Sequence, residues 1–163
     1  MFSFEHKKLL VEKLAKAFES DLSTLVDSAQ ASYEAATHAE SRADNKYDTR
    51  GLEASYLAAG QAQRAAEIRK LLGMCTQLTL RQFSKDDDIS ISALVQIAGE
   101  SGNQWVFLVP FAGGRSLEID GAKVNIVSSA SPLGGELMGK KSGDDFTVEM
   151  KGRKAEYEIL DVF

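Results

Sequence analysis

The chain carries a single cysteine, Cys75, among its 163 residues. One thiol forms no intrachain disulfide, and no thiolate cluster is available to hold zinc. Histidine is nearly as scarce, with only His6 and His38, so a His/Cys metal site is excluded in practice. Proline stands only at Pro110 and Pro132, which leaves everything before Pro110 free of that helix breaker. No apolar run approaches the ~18 residues of a membrane span. The opening MFSFEHKKLLVEKLAKAF breaks its apolar residues with charge every few positions, unlike the apolar core of a signal peptide. A basic excess is missing too: 24 acidic side chains face 19 basic ones, a formal net charge of −5. A protein that grips a nucleic-acid backbone over a wide surface is normally basic. The expectation is an acidic, cytoplasmic protein with no membrane partner and no sequence-specific DNA binding.

What is present is organised in two parts. Of 13 glycines, only Gly51, Gly60 and Gly73 precede Gly99, so the first half is built for helix and the second for strands and turns. Between Ser3 and Arg42, Leu10, Leu14, Phe18, Leu22, Leu25, Ala29, Tyr33 and Ala36 recur at gaps of three and four, one face of a long helix. Leu57, Ala58, Gln61, Ala65, Ile68 and Leu72 repeat the pattern over Leu52 to Leu72, and the many alanines there let two helix backbones approach closely. Two such stretches around a polar segment predict an antiparallel helical hairpin, a two-helix coiled coil with arms of roughly 40 Å. The segment Thr49-Arg50-Gly51 reads as a turn, with the second arm beginning at about Leu52.

Past Gly73 the period changes from 3.6 to 2. Ile89, Ile91, Ala93, Val95 and Ile97 alternate with polar residues, and Trp105 to Val109 is a short apolar run ending at Pro110. Ser116 to Ile119 and Lys123 to Val127 flank Asp120-Gly121, a strong hairpin signal. Asp145 to Met150 and Glu156 to Val162 form a further pair around Lys151-Gly152-Arg153. About six strands and one short helix make a small antiparallel α+β domain. The domains are expected at 1–75, a coiled-coil hairpin with an acidic tip near 38–52, and at 76–163.

The tip is the first segment with chemistry in it. Glu40, Asp44 and Asp48 are spaced by four, as are Arg42, Lys46 and Arg50. On a continuous helix these charges would pair for ~0.2–0.5 kcal/mol each and do nothing more. Carboxylates gathered at an exposed tip instead suit a hard divalent cation such as Mg²⁺, held weakly until a partner supplies further ligands.

The second segment is SPLGGELMGKKSGDDF, Ser131 to Phe146. Ser131 is placed to cap a short helix begun by Pro132, with Leu133 and Leu137 turned inward, Gly139 ending it and Ser142-Gly143-Asp144 turning the chain. Its glycines lack the spacing of a phosphate-binding loop. Cys75 reads as a buried structural thiol following the second arm, and Asp86-Asp87-Asp88 as a solvated linker. His38 reads as a helix-surface residue. No Ser/His/Asp or Cys/His system is visible, so catalysis by the chain alone is not expected.

The order of parts resembles the bacterial Gre transcript-cleavage factors. The resemblance rests on Ser128-Ser129-Ala130-Ser131-Pro132-Leu133-Gly134, then Leu137, Gly139-Lys140-Lys141, Gly143-Asp144 and Val148, and on the terminal Tyr157-Glu158-Ile159-Leu160-Asp161-Val162. It spans about 35 residues of the second domain, and implies an FKBP-like fold there. The first domain matches more loosely. Glu40 stands where the family has its tip aspartate and Asp44 where it has the tip glutamate, so the acids are exchanged and four apart instead of three; Ala39 replaces a glycine, and the late second arm implies an insertion at the turn.

The resemblance implies a partner, RNA polymerase, with the second domain docked at the rim of its secondary channel and the coiled coil passed inward. The RNA 3′ end is met indirectly, through polymerase. By this analogy Glu40 and Asp44, with Asp48 as a substitute, assist a catalytic Mg²⁺ shared with polymerase in cleaving backtracked RNA. No cofactor is expected on the isolated protein, which would be an accessory factor and not an enzyme. Pro132, Leu133 and Gly139 would shape the surface facing polymerase. Two alternatives stay open: a secondary-channel competitor or inhibitor without cleavage activity, and an FKBP-like prolyl isomerase.

Overall fold

A computed structural model describes residues 2–37, 50–111, 113–150 and 152–163. Helix α1 runs Phe4–Thr37 and α2 Arg50–Thr76. The strands are β1 Leu94–Gly99, β2 Gly102–Val109, β3 Ser116–Ile119, β4 Ala122–Ser128, β5 Asp145–Met150 and β6 Arg153–Val162, with α3 Pro132–Leu137 between β4 and β5. The chain is α+β, as its change of period requires.

Two compact units are formed, Met1–Leu14 with Gln77–Phe163, and Ala15–Thr76. The first turns of α1 therefore group with the sheet, a division that composition along the chain does not reveal. Among the described residues no helix is long and apolar enough to cross a membrane.

In the sheet unit the strand order is β3-β4-β2-β1-β6-β5. Neighbours are antiparallel except β2 and β4, which run parallel from Trp105↔Val124 to Val109↔Ser128. The expected all-antiparallel sheet is thus corrected at one pair. The chain leaves β2 at Val109, reverses into β3, and returns through the Asp120-Gly121 turn, which inserts β4 between β3 and β2. Asp120 and Gly121 have φ of 50° and 77°, the left-handed pair that a two-residue hairpin demands.

One face of the sheet carries Val95, Ile97, Val106, Leu108, Val148 and Ile159, closed over by Leu137 of α3. Alternation turns Leu94, Phe107 and Val124 to the other side, where they are equally buried. There the start of α1 covers the sheet. Leu10 is fully buried, Phe2 meets the Trp105 ring edge-on at 4.6 Å, and Lys13 Nζ donates to the Glu118 carbonyl at 2.6 Å.

The alternating run from Ile89 is only half strand. Ser92 has φ of 72° and donates its N–H to the Leu108 carbonyl, so regular pairing starts at Leu94. Ile89 is still a core residue, exchanging hydrogen bonds with the chain at Gly139 and Lys140 (2.8 Å each).

The other unit contains Ala15 to Thr37 of α1 together with α2. Gln61 of α2 bonds Ser28 and Ser32 of α1, and Phe18, Ala65, Ile68 and Cys75 are buried. Two sequence expectations shift here. Arg50 and Gly51 belong to the first turn of α2 and are not part of the turn before it, and the helix passes through Gly73 to Thr76, placing Cys75 inside the helix. Glycine in a helix costs about 1 kcal/mol against alanine, which a long helix absorbs.

Candidate functional site

The motif Ser128 to Asp144 is a chain of local bonds. Ser131 Oγ donates to the Ser128 carbonyl at 2.7 Å and accepts the Gly134 N–H at 3.1 Å, capping α3, while Pro132 occupies the first helical position, where no N–H is needed. Gly134 lies so close to the strand end that a Cβ there would sit 2.0 Å from the Ser128 carbonyl oxygen. Gly139, with φ of 78°, ends the helix and donates to the Ile89 carbonyl. Asp144 Oδ2 accepts the Lys141 N–H at 2.8 Å, and Gly143 N–H and the Asp144 carbonyl tie this turn to Ile159 at 2.7 and 2.9 Å. Ser131, Gly134, Gly139, Gly143 and Asp144 of the motif therefore serve its shape.

What that shape presents to solvent is Pro132, Gly139 and, 40% exposed, Met138; Leu133 is half-buried and packs on the core. Beside Leu133 and Ser131, an open cleft of about 490 Å³ runs along Ser128 and Ile126 to Gly113 and Gly114. Gly113 shapes its wall, since a Cβ would meet the Ile126 carbonyl oxygen at 2.6 Å. Of the three residues expected to form the docking surface, Pro132 and Gly139 are exposed, and Leu133 is shared between surface and core.

Glu40, Asp44 and Asp48 fall in 38–49, outside the described residues, as does His38. The flanking helices end at Thr37 and begin at Arg50, so α1 and α2 lead into and out of the acidic segment. Among the described residues no group of three or more His, Cys, Asp or Glu comes together to hold a metal ion.

Tertiary structure adds two clusters that sequence reasoning did not find. Ser3, His6 and Asp120 stand in line, with Ser3 Oγ 2.7 Å from His6 Nδ1 and His6 Nε2 2.8 Å from Asp120 Oδ2. The residue types are those of a hydrolytic triad, but the bonding is that of a helix cap. Nδ1 accepts the Ser3 backbone N–H at 3.0 Å, which assigns the remaining ring proton to Nε2, facing Asp120, and leaves Nδ1 unavailable to draw a proton from the hydroxyl. The second cluster is Lys7, fully buried, whose Nζ donates to the carbonyls of Arg81 and Phe163 and lies 4.6 Å from the Phe83 ring centre. Burial, with Arg81 adding a like charge, lowers its pKa to about 8. Apart from Ser3 and His6, three positions apart, the bonded partners of both clusters lie 74 to 156 positions apart, which leaves no local sequence signal.

The acidic run before Ile89 is more than a solvated linker. Asp87 Oδ2 accepts the Ser84 N–H at 2.7 Å and the Ser84 hydroxyl at 2.8 Å, and these bonds hold its carboxyl below the ordinary range. Asp88 lies 3.5 Å from Lys141 Nζ. Cys75 is the buried thiol expected of it, with burial pushing its pKa up to about 11.

Residues 114–163, from the approach to β3 through β6, match the family model described as Transcription elongation factor, GreA/GreB, C-term. The chain is 28% identical over 130 residues to Transcription elongation factor GreA of Chlorobaculum tepidum, covering 80% of this chain and 77% of that protein. The likeness is to Gre-type elongation factors, by the family model over the last 50 residues and by relatives at low identity. The GreA of Chlorobaculum parvum is 26% identical over the same shares of both chains. Among solved structures, GreA factor homolog 1 (Gfh1) of Thermus thermophilus is 18% identical with a TM-score of 0.37, covering 91% of this chain and 94% of that one. The GreA/GreB factor from Nitrosomonas europaea is 18% identical with a TM-score of 0.35, covering 72% and 94%. Within the matched segment, the residues of the Ser128 to Asp144 motif are the ones that build α3 and its flanking turns.

Proposed function

We propose that this protein is a Gre-family transcription elongation factor that binds RNA polymerase and acts at its secondary channel, stimulating cleavage of backtracked RNA. The observation that carries the reading is the intact architecture of Ser128 to Asp144, where the cap, the close-approach glycine and the paired turns are all present. The surface they leave, with Pro132, Gly139 and part of Leu133, is the proposed polymerase contact. The chain itself carries out no chemistry in this reading and is an accessory to the polymerase active site.

Glu40 and Asp44, with Asp48 in reserve, are the proposed tip carboxylates. Hard oxygen donors of this kind suit Mg²⁺, which takes a few carboxylates and otherwise keeps water or substrate oxygens. When bound between polymerase and tip, the ion would supply charge stabilisation and an activated water for phosphodiester hydrolysis. The part of this chain is to present and orient the carboxylates; the net charge of −5 is compatible with that role, because the factor meets polymerase and not a free nucleic-acid backbone.

A second reading has its own support. Exchanged acids at a spacing of four, with Ala39 in place of glycine, are a departure at the residues that would do the work. A protein that occupies the channel without supporting cleavage would have this pattern. The test is purified polymerase stalled in a backtracked state, with Mg²⁺, with and without the protein. Cleavage abolished by Glu40→Ala or Asp44→Ala establishes the factor. Absence of cleavage together with protection against an active GreA establishes the competitor. Absence of any affinity for polymerase rejects both and directs attention to peptide isomerisation.

A further inference from the structure

We propose that Gln61 is a positioning residue, pinning α1 to α2 in one register; its consequence for activity rests on the polymerase reading above. The argument starts from the seam between the helices. Among the described residues of this unit, the buried apolar side chains are Phe18, Ala65, Ile68 and Cys75. The larger ones lie toward the start of α1 and the end of α2. Closer to Arg50, the half-buried residues include Ala58 and Gln61 on α2 and Ser28, Ala29 and Ser32 on α1.

Small side chains allow close approach but define register poorly. A shift of one turn, ~5.4 Å along the axis, sets one alanine where another had been. Gln61 breaks that degeneracy. Its Nε2 donates to Ser28 Oγ at 2.6 Å, and its Oε1 lies 3.0 Å from Ser32 Oγ, which also reaches the Ser28 carbonyl at 2.9 Å. One amide thus spans two serines a turn apart on the facing helix. All three side chains are half-buried, so in a shifted register they would lose partners that water replaces only in part. A single polar residue in an apolar helix seam sets register in this way in coiled coils generally.

The experiment places spin labels at two exposed positions, Ser20→Cys and Ser55→Cys, in a Cys75→Ser background, and measures the distance between them in the full chain. One narrow distance is expected with Gln61 intact. Gln61→Leu should broaden it or add a second population displaced by up to ~5 Å, one helical turn, with helical content unchanged. Ser28→Ala with Ser32→Ala should do the same by removing the other side of the bond. Gln61→Glu, whose carboxylate can accept from both hydroxyls, should restore the single distance. An unchanged narrow distance in both disrupted variants overturns the proposal. On backtracked polymerase, Gln61→Leu should lower cleavage, or competition with GreA, on the order of 10- to 100-fold without changing affinity, and Gln61→Glu should recover it. A shifted distance with undiminished activity overturns the positioning role. If the unsubstituted protein does not bind polymerase, the polymerase reading and the consequence for activity fall together, and the distances still decide the register.

Discussion

The ammonium of Lys7, on the second turn of α1, donates at 2.7 Å to the carbonyl oxygen of Phe163, 156 positions further along the chain. Its other carbonyl partner, Arg81, lies in the segment that follows α2. One fully buried side chain thus joins the first helix, the irregular segment that follows α2 and the chain end just after β6. This is the polar counterpart of the apolar contact that Leu10 makes a turn later.

Lys7 gives the sheet unit a pH dependence of defined sign. Its pKa is about 8 in the fold against 10.5 for a free lysine. Below pH 8 both states are protonated and the cost of burying the charge is constant. Between pH 8 and 10.5 the folded form gives up its proton first, the unfolded chain binds more protons, and stability rises with pH. The gain over that window is roughly 3 kcal/mol. Urea unfolding at pH 7.5 and 10 should show it as a difference between the native chain and Lys7→Met; parallel pH profiles would reject it.

Gly134 and Gly135 are adjacent and should behave oppositely. A Cβ on Gly134 would collide with the Ser128 carbonyl oxygen at 2.0 Å and with Ser129 Cα at 3.0 Å, both backbone. Gly134→Ala is expected to destabilise the sheet unit by ~2–3 kcal/mol. A Cβ on Gly135 meets only the Ser129 carbonyl oxygen at 3.8 Å, an ordinary contact. Gly135→Ala should be neutral or stabilising by up to ~1 kcal/mol through helix propensity. Denaturant midpoints of the two variants against the native chain check the pair.

Removing the α3 cap should have a measurable, smaller effect. Ser131→Ala deletes the acceptor for Gly134 N–H and the donor to the Ser128 carbonyl, for a loss of about 1 kcal/mol. Ser131→Asp should recover part of it, because a carboxylate accepts the same N–H but cannot donate to Ser128. Equal stabilities for all three chains would show that the cap bond contributes nothing.

Cys75 should be chemically silent in the native protein. It is buried and its thiol is pushed up to about 11, so at pH 8 almost no thiolate is present. Reaction with a disulfide reagent should follow the opening of the α1–α2 unit and accelerate sharply at denaturing urea. Rapid stoichiometric modification in native buffer would contradict the burial.

Several features were legible without coordinates because each depends on near neighbours in the chain. The Asp120-Gly121 turn needs two left-handed residues and names them. The Ser131-Pro132 start of α3 needs a hydroxyl acceptor followed by a residue without an N–H, and both stand in order. Helical and alternating periods separate the first half from the second. The errors arise where local signals meet longer constraints. Gly51 and Gly73 look like breaks, yet α2 runs from Arg50 to Thr76, because a glycine's cost of about 1 kcal/mol is small beside the propagation of a 27-residue helix. The alternating Ile89 to Ala93 looks like strand, yet Ser92 turns left-handed so that its N–H reaches Leu108. Of the candidate site, Pro132 and Leu133, proposed to face polymerase, lie in α3 and Gly139 just after it, and Glu40, Asp44 and Asp48 stand outside the described residues.

The sequence by itself determined the helix and strand segments, the turns, the capped start of α3 and the Gre-like motif, since these are written in residues a few positions apart. The tertiary structure alone decided that β4 enters between β3 and β2, that α1 begins as part of the sheet unit, and that Lys7, His6 and Gln61 find partners. Those outcomes depend on which distant carbonyl, carboxylate or hydroxyl lies within about 3 Å of a given donor. Periodicity tells which side of a helix is apolar; it holds no information about what is brought against it.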